Sequence, residues 1–284
     1  MKEKELNLSF NYLPDPKEKI KKSIIKMKQL LSKIIFCFCL FLLNSQLGFT
    51  QTSRFSMNQF VNDKGDTLRY RELYPDADTL RKYPLVIFLH GSGERGNDNE
   101  AQLKWGVMNF ATDENMRLYP AFVIAPQCPE KQSWSNFSRS KNSLEMQLQP
   151  SASQPMELVI ELVHKMMKTL PIDTNRIYIT GLSMGGFGTY DAIERYPNLF
   201  AAAVPVCGGG DVSKAASIAH LPIWIFLGAE DAAVNTGYSL MMLEALTKAG
   251  AHPGFTQYPE VGHFSWLGAY SDPLMIQWLF RQHK

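Results

Sequence analysis

Residues 180–190 read TGLSMGGFGTY, a serine with glycines at 181, 185, 186 and 188. Glycine loses the most backbone freedom on folding, so clustering it around one serine means that the backbone there must stay bare. The preceding RIYIT (176–180) is an apolar run of strand length, and MGGFGTYDAIERYP (184–197) carries a helical pattern that stops at Pro197. The stretch therefore predicts a strand that doubles back at Ser183 directly into a helix. Side chains two residues before and two after the serine would collide in such a turn.

Other runs repeat the alternation. PLVIFLHG (84–91), AFVIAPQ (121–127), AAAVPV (201–206), LPIWIFLG (221–228) and FTQYPE (255–260) read as strands. Helical patterns cover 101–112, 153–170, 238–248 and 274–282, and the segment from Phe55 reads as two strands around a turn at 62–66. Continuous apolar strands alternating with amphipathic helices require an α/β fold, a mostly parallel sheet covered on both faces. The expectation is about eight strands with an antiparallel N-terminal hairpin. At 284 residues, with 45% hydrophobic and 20% charged residues, the chain suits one large domain, placed at 51–284.

Residues 1–50 read differently. The run IIFCFCLFLL (34–43) follows Lys26, Lys28 and Lys33 and precedes polar residues and Gly48-Phe49-Thr50. It is too short for a stable membrane span, which needs about 20 apolar residues. It fits the core of a secretory signal cut before Gln51, with Met27 as the expected translation start, and implies a secreted or periplasmic protein. Retention by an uncleaved signal is the alternative. The positive charge behind the formal net +2 is concentrated in this segment, and no basic stripe for nucleic acid remains on the domain. Cys128 and Cys207, the two cysteines of the domain, each follow a strand. The fold separates those strands, which favours buried free thiols over a bridge.

In a parallel sheet the working residues gather beyond the carboxyl ends of the strands. Ser183, Asp231 and His263 each follow a strand, in that order. Gly181-Leu182-Ser183-Met184-Gly185 matches the G-x-S-x-G nucleophile elbow, weak as a pattern alone but specific between a strand and a helix with an acid and a histidine downstream. Asp231 is preferred to Asp211 and Glu230 because its loop can carry a carboxylate across to a histidine. His263 is the one histidine in the order Ser…Asp…His. His90 precedes the serine, His220 and His252 precede strands, and His164 and His283 lie on a helix and at the terminus. The Met184 N–H and an N–H from the HGSG loop, Ser92 first and Gly93 second, are candidate donors to a developing oxyanion. Trp134, Trp266 and Gln127 follow strand ends and are candidate substrate contacts. Glu94 and Arg95 are expected to fix the oxyanion loop. No metal-ligand spacing or dinucleotide fingerprint occurs in the domain, so neither metal nor cofactor is expected.

With LHGSGERG, APQCP, GLSMGGFGT, PVCGGGD and YPEVGHFSW in place, residues 55–284 resemble the α/β-hydrolase superfamily. Within it the chain looks like exported esterases of the feruloyl-esterase and polyhydroxybutyrate-depolymerase type, carbohydrate esterase family one, also grouped with prolyl-oligopeptidase-like enzymes. The resemblance implies a Ser183–His263–Asp231 triad, hydrolysis through an acyl-enzyme, and ester substrates such as feruloyl or acetyl groups on plant polysaccharides. DAAVN after the acid departs from the Val-Pro common in relatives. Two other readings compete. One is a prolyl-oligopeptidase-like peptidase, for which the domain has no room for a gating propeller. The other is a non-catalytic binding protein on a hydrolase scaffold. Oligomeric state and acyl specificity are not legible.

Overall fold

A computed structural model describes residues 27–34, 54–75, 80–140 and 143–284. The chain divides into two compact units, Met1–Thr50 and Gln51–Lys284. In the first, residues 27–34 form an exposed helix. The rest of the apolar run and the cleavage point before Gln51 lie outside the described residues. Among those described, no helix is long and apolar enough to cross a membrane.

The second unit is an eight-stranded sheet with helices on both faces. Its strands are β1 (Phe55–Val61), β2 (Thr67–Leu73), β3 (Tyr83–Leu89), β4 (Phe122–Pro126), β7 (Ile172–Leu182), β8 (Ala202–Val206), β9 (Trp224–Gly228) and β10 (Gly254–Tyr258). They run in the order β1-β2-β4-β3-β7-β8-β9-β10. The expected hairpin is β1–β2, in antiparallel register with Phe55 opposite Leu73, and β2 is antiparallel to β4. From β4 through β10 every neighbouring pair is parallel. A separate ribbon of β5 (Phe137–Arg139) and β6 (Met146–Leu148) lies in the long segment after β4.

The helices are α1 (Asp113–Leu118), α2 (Gln154–Thr169), α3 (Met184–Arg195), α4 (Ala215–Ile218), α5 (Gly237–Lys248), α6 (Trp266–Ser271) and α7 (Pro273–Arg281). Strands β3 and β4 are buried along their whole length, as the unbroken apolar runs require. One core cluster, on the α2 and α5 side, joins Ile87, Val159, Ile179 and Met242. The other joins Val86, Phe88, Tyr178 and Met275. Ser153 caps α2 by accepting from the Met156 N–H, and Asp272 caps α7 in the same way through Leu274.

One element differs from its sequence pattern. Instead of a helix at 101–112 there are 3-10 turns at Ala101–Leu103 and Val107–Ala111, and the α-helix begins only at Asp113. Gly106 sits at φ 77° with its Cα against the Tyr270 ring, where a Cβ would collide. That left-handed kink breaks the helix. Thr112 then caps α1 through the Asn115 N–H.

Cys128 and Cys207 are both free and buried, with burial pushing each thiol pKa up to about 12. A thiol held protonated and out of solvent is unreactive. In a chain comprising residues 51–284, a disulfide-exchange reagent is expected to titrate no thiol in the native state and two after unfolding. Fewer than two after unfolding would mean that a bridge forms.

Candidate functional site

The serine turn is built as its glycines predict. Ser183 separates β7 from α3 at φ 54°, ψ −114°, a region that costs a non-glycine residue about 1–3 kcal/mol. Two backbone hydrogen bonds offset the strain: the Ser183 N–H donates to Val206 O at 2.9 Å, and Ser183 O accepts from the Phe187 N–H at 3.1 Å. A Cβ on Gly181 would stand 2.7 Å from Leu89 O, and one on Gly185 would overlap that carbonyl. Gly186 packs on Val206 and Gly208 of the next strand end, and Gly188 on Trp134.

The three strand-end residues meet. His263 Nε2 lies 3.0 Å from Ser183 Oγ, and His263 Nδ1 lies 2.7 Å from Asp231 Oδ2. A carboxylate only accepts, so Nδ1 carries the proton and Nε2 presents a lone pair to the serine hydroxyl. The other Asp231 oxygen accepts from the Ala233 and Val234 N–H groups at 2.9 and 2.8 Å. The Asp231 side chain is 1% exposed and that of His263 22%. The acid is thus fixed and dry, and the imidazole is reachable. Asp211 instead caps the turn at Val212–Lys214 and accepts from the Leu148 N–H, and Glu230 is exposed. Neither alternative acid joins the cluster.

The loop after β3 faces the serine turn. Ser92 and Gly93 open a 3-10 turn, Ser92–Glu94, and Met184 is the first residue of α3. The N–H groups of Ser92, Gly93 and Met184 have no acceptor among the described residues, as expected at helix starts. A side chain added at Gly93 would meet nothing within 4 Å, so that side of the loop is open.

His90 latches this loop. Its Nε2 accepts from the Cys128 N–H at 2.9 Å, which places the proton on Nδ1 for donation to Gly91 O at 2.6 Å. Burial lowers its pKa to about 4. Glu94 behaves oppositely: burial raises its pKa, against hydrogen bonds from the Gly91 backbone and the Trp105 side chain. Arg95 Nε donates to Gln132 O at 2.6 Å. Glu94 and Arg95 thus fix the loop, and they do so without a salt bridge between them.

The candidate substrate contacts fare differently. Trp134 is fully buried, donating from Nε1 to His90 O at 3.1 Å and packing under Gly188, so it supports the serine turn and touches no substrate surface. Gln127 is also enclosed. Its Nε2 donates to Glu94 O and Asp98 Oδ1 and its Oε1 accepts from the Asn99 N–H, which leaves its amide committed to the 94–99 loop. Each side chain points inward, and its polar atoms are committed to the surrounding loops. Trp266 is buried edge-on to the His263 ring at 4.9 Å, and its Nε1 has no acceptor among the described residues. The exposed aromatic next to it is Phe264, 54% exposed, clustered with Trp105 and Trp266. Sequence reasoning passed over Phe264 and Trp105, although Phe264 adjoins His263 in the chain.

A family model described as phospholipase/carboxylesterase matches residues 77–269. A bifunctional acetylxylan esterase/xylanase of Neocallimastix patriciarum is 27% identical over 171 residues, 60% of this chain and 22% of that protein. Poly(3-hydroxyalkanoate) depolymerase C of Paucimonas lemoignei is 30% identical over 126 residues, 44% of this chain and 28% of its own. The chain thus spans under a third of the length of these curated relatives. Among solved structures, a thermostable esterase superposes with a TM-score of 0.77 at 38% identity, covering 83% of this chain and 64% of that one. A ferulic acid esterase shares the fold, with a TM-score of 0.60 at 15% identity over 80% of this chain and 98% of its own.

The His90 latch has a pH signature. Between its ordinary value of 6.5 and about 4, the unfolded chain binds a proton that folded His90 refuses. Its contribution therefore lowers stability as pH falls through that window, by at most about 3 kcal/mol. Denaturant melts at pH 7 and pH 4.5 are expected to show a smaller loss in His90→Asn than in the parent. Equal losses would assign the pH dependence to other groups.

Proposed function

Because this chain belongs to the phospholipase/carboxylesterase family, we propose that it is a serine esterase cleaving carboxylic esters through an acyl-enzyme, with Ser183 as nucleophile, His263 as base and Asp231 as the orienting acid. The observation that carries the reading is the continuous hydrogen-bonded line Ser183 Oγ–His263 Nε2, His263 Nδ1–Asp231 Oδ2 at a positive-φ serine.

In the proposed reaction Ser183 Oγ attacks the ester carbonyl carbon while its proton passes to His263 Nε2. The imidazolium so formed is stabilised by the Asp231 carboxylate, which keeps its own charge. Negative charge on the carbonyl oxygen is received by the Met184 N–H and by the Ser92 N–H, or that of Gly93. One such donor is worth about 3 kcal/mol in the transition state. Collapse breaks the C–O bond, and the leaving alcohol takes the His263 proton. Water then attacks the acyl-enzyme, giving one proton to His263 and releasing the acid as Ser183 recovers its hydrogen.

The proposed substrates are acyl groups, acetyl or feruloyl, on plant polysaccharides or their fragments. Support comes from the acetylxylan esterase among the relatives and from Phe264, next to His263 in the chain, with Trp105 packed on it, surfaces on which sugar or phenolic rings can stack. The proposed setting is outside the cytoplasm, after removal of residues 1–50. The N-terminal mass of protein recovered from an expressing culture, beginning at Gln51, checks that.

Ser183→Ala is expected to abolish hydrolysis of methyl ferulate and phenyl acetate and to prevent labelling by a fluorophosphonate, with an unchanged melting curve. Retained hydrolysis in the folded variant would remove Ser183 from the mechanism. Asp231→Asn is expected to lower kcat by on the order of a thousandfold or more and to slow fluorophosphonate labelling of Ser183 in parallel, because the imidazole no longer presents a lone pair to the serine. A loss under tenfold would displace Asp231 from its role.

A further inference from the structure

Beside the acid loop lies a cleft of about 530 Å³ whose walls include Arg139 on β5, Leu144, Phe187 on α3, residues 231–236 and Tyr238 on α5. Phe187 is one helical turn from Ser183, linked by the hydrogen bond between its N–H and Ser183 O. The cleft therefore adjoins the acid loop and the helix that begins at the nucleophile.

Arg139 is the feature that asks for a ligand. Its guanidinium lies 4.6 Å from the centroid of Phe187 and 5.6 Å from that of Tyr238, and the two rings meet edge-to-face at 5.6 Å. Stacking on two aromatic faces restrains a side chain that would otherwise roam. Yet among the described residues no carboxylate lies within ion-pairing distance of Arg139, and its N–H donors have no protein acceptor. The acid that lines the same cleft, Asp231, is committed to His263 and to the Ala233 and Val234 N–H groups. The result is a positioned, exposed planar cation with no carboxylate partner among the described residues, at the wall of a cleft of ligand size next to the nucleophile's helix.

We propose that this cleft is a subsite for a carboxylate carried by the substrate, gripped by Arg139. The inference rests on the esterase reading and narrows it: the preferred esters bear an acidic group on one side of the scissile bond. Two sources share that chemistry, a uronic acid neighbouring an acylated sugar and the free acid end of a hydroxyacid oligomer. In the first the carboxylate sits on the alcohol side, and in the second it can sit on the acyl side.

Two matched ester pairs test it: phenyl acetate against 4-acetoxybenzoate, with the acid on the alcohol side, and 4-nitrophenyl butyrate against mono-4-nitrophenyl glutarate, with the acid on the acyl side. A charge-assisted contact is expected to favour the acidic member of at least one pair by roughly tenfold or more in kcat/KM. Which pair responds identifies the side. That preference is expected to vanish in Arg139→Gln, to survive in part in Arg139→Lys, and to weaken in 0.5 M salt. No preference in either pair, or one unchanged in Arg139→Gln, overturns the subsite while leaving the esterase reading intact. Independently of turnover, calorimetry on Ser183→Ala should show benzoate or glutarate binding that Arg139→Gln weakens about tenfold. Failure of both ligands to bind also overturns the subsite. Loss of all ester hydrolysis in the parent, with carboxylate binding retained, overturns the esterase reading instead.

Discussion

The contact between the carbonyl of Leu89 and the bare backbone of Gly181 and Gly185 sets the spacing of this site. It draws the end of β3 against the turn between β7 and α3, closer than any side chain would permit. Because the chain runs from β3 straight into His90, Gly91 and Ser92, the same approach brings the oxyanion loop up to Ser183. On the other side Gly186 meets Gly208 backbone to backbone, which brings the end of β8 close as well. Ser183 can hold its strained φ only because strands on both sides clamp the turn. The glycines are therefore a geometric requirement at two interfaces at once.

Behind that contact lies a shell of buried polar groups whose partners are nearly all loop backbone. His90 takes the Cys128 N–H and gives to Gly91 O, Trp134 gives to His90 O, and Gln127 ties Glu94, Asp98 and Asn99 together. Loop backbone removed from water must find such partners or forfeit about 1–3 kcal/mol per group. Side chains that begin at strand ends, where substrate contacts also begin, have been turned to this task. On the opposite side, Asp231 is fixed by two N–H groups before it meets His263. The imidazole is thus oriented by an acid that is itself immobile.

Much of this was legible in the order of residues. The alternation of apolar runs with helical patterns specifies a parallel sheet, since no other arrangement buries such strands on both faces. G-x-S-x-G between a strand and a helix marks the turn, and the positions of Asp231 and His263 after later strands place them on the same edge. Local kinks were less legible. Gly106 resembles any tolerated helix glycine until Tyr270, far along the chain, is found against its Cα.

What the sequence determined by itself was which residues lie at the carboxyl edge of the sheet, because strand periodicity and chain order depend on neighbours along the chain. What only the tertiary structure decided was which way those residues face. Trp134 and Gln127 turn inward because loop backbone needs their donors and acceptors, and Phe264 turns outward. Arg139 is held over two rings supplied by α3 and α5, elements remote from it in sequence. Side-chain direction in loops is set by whichever distant group satisfies its polar atoms, and that information exists only once the sheet has assembled.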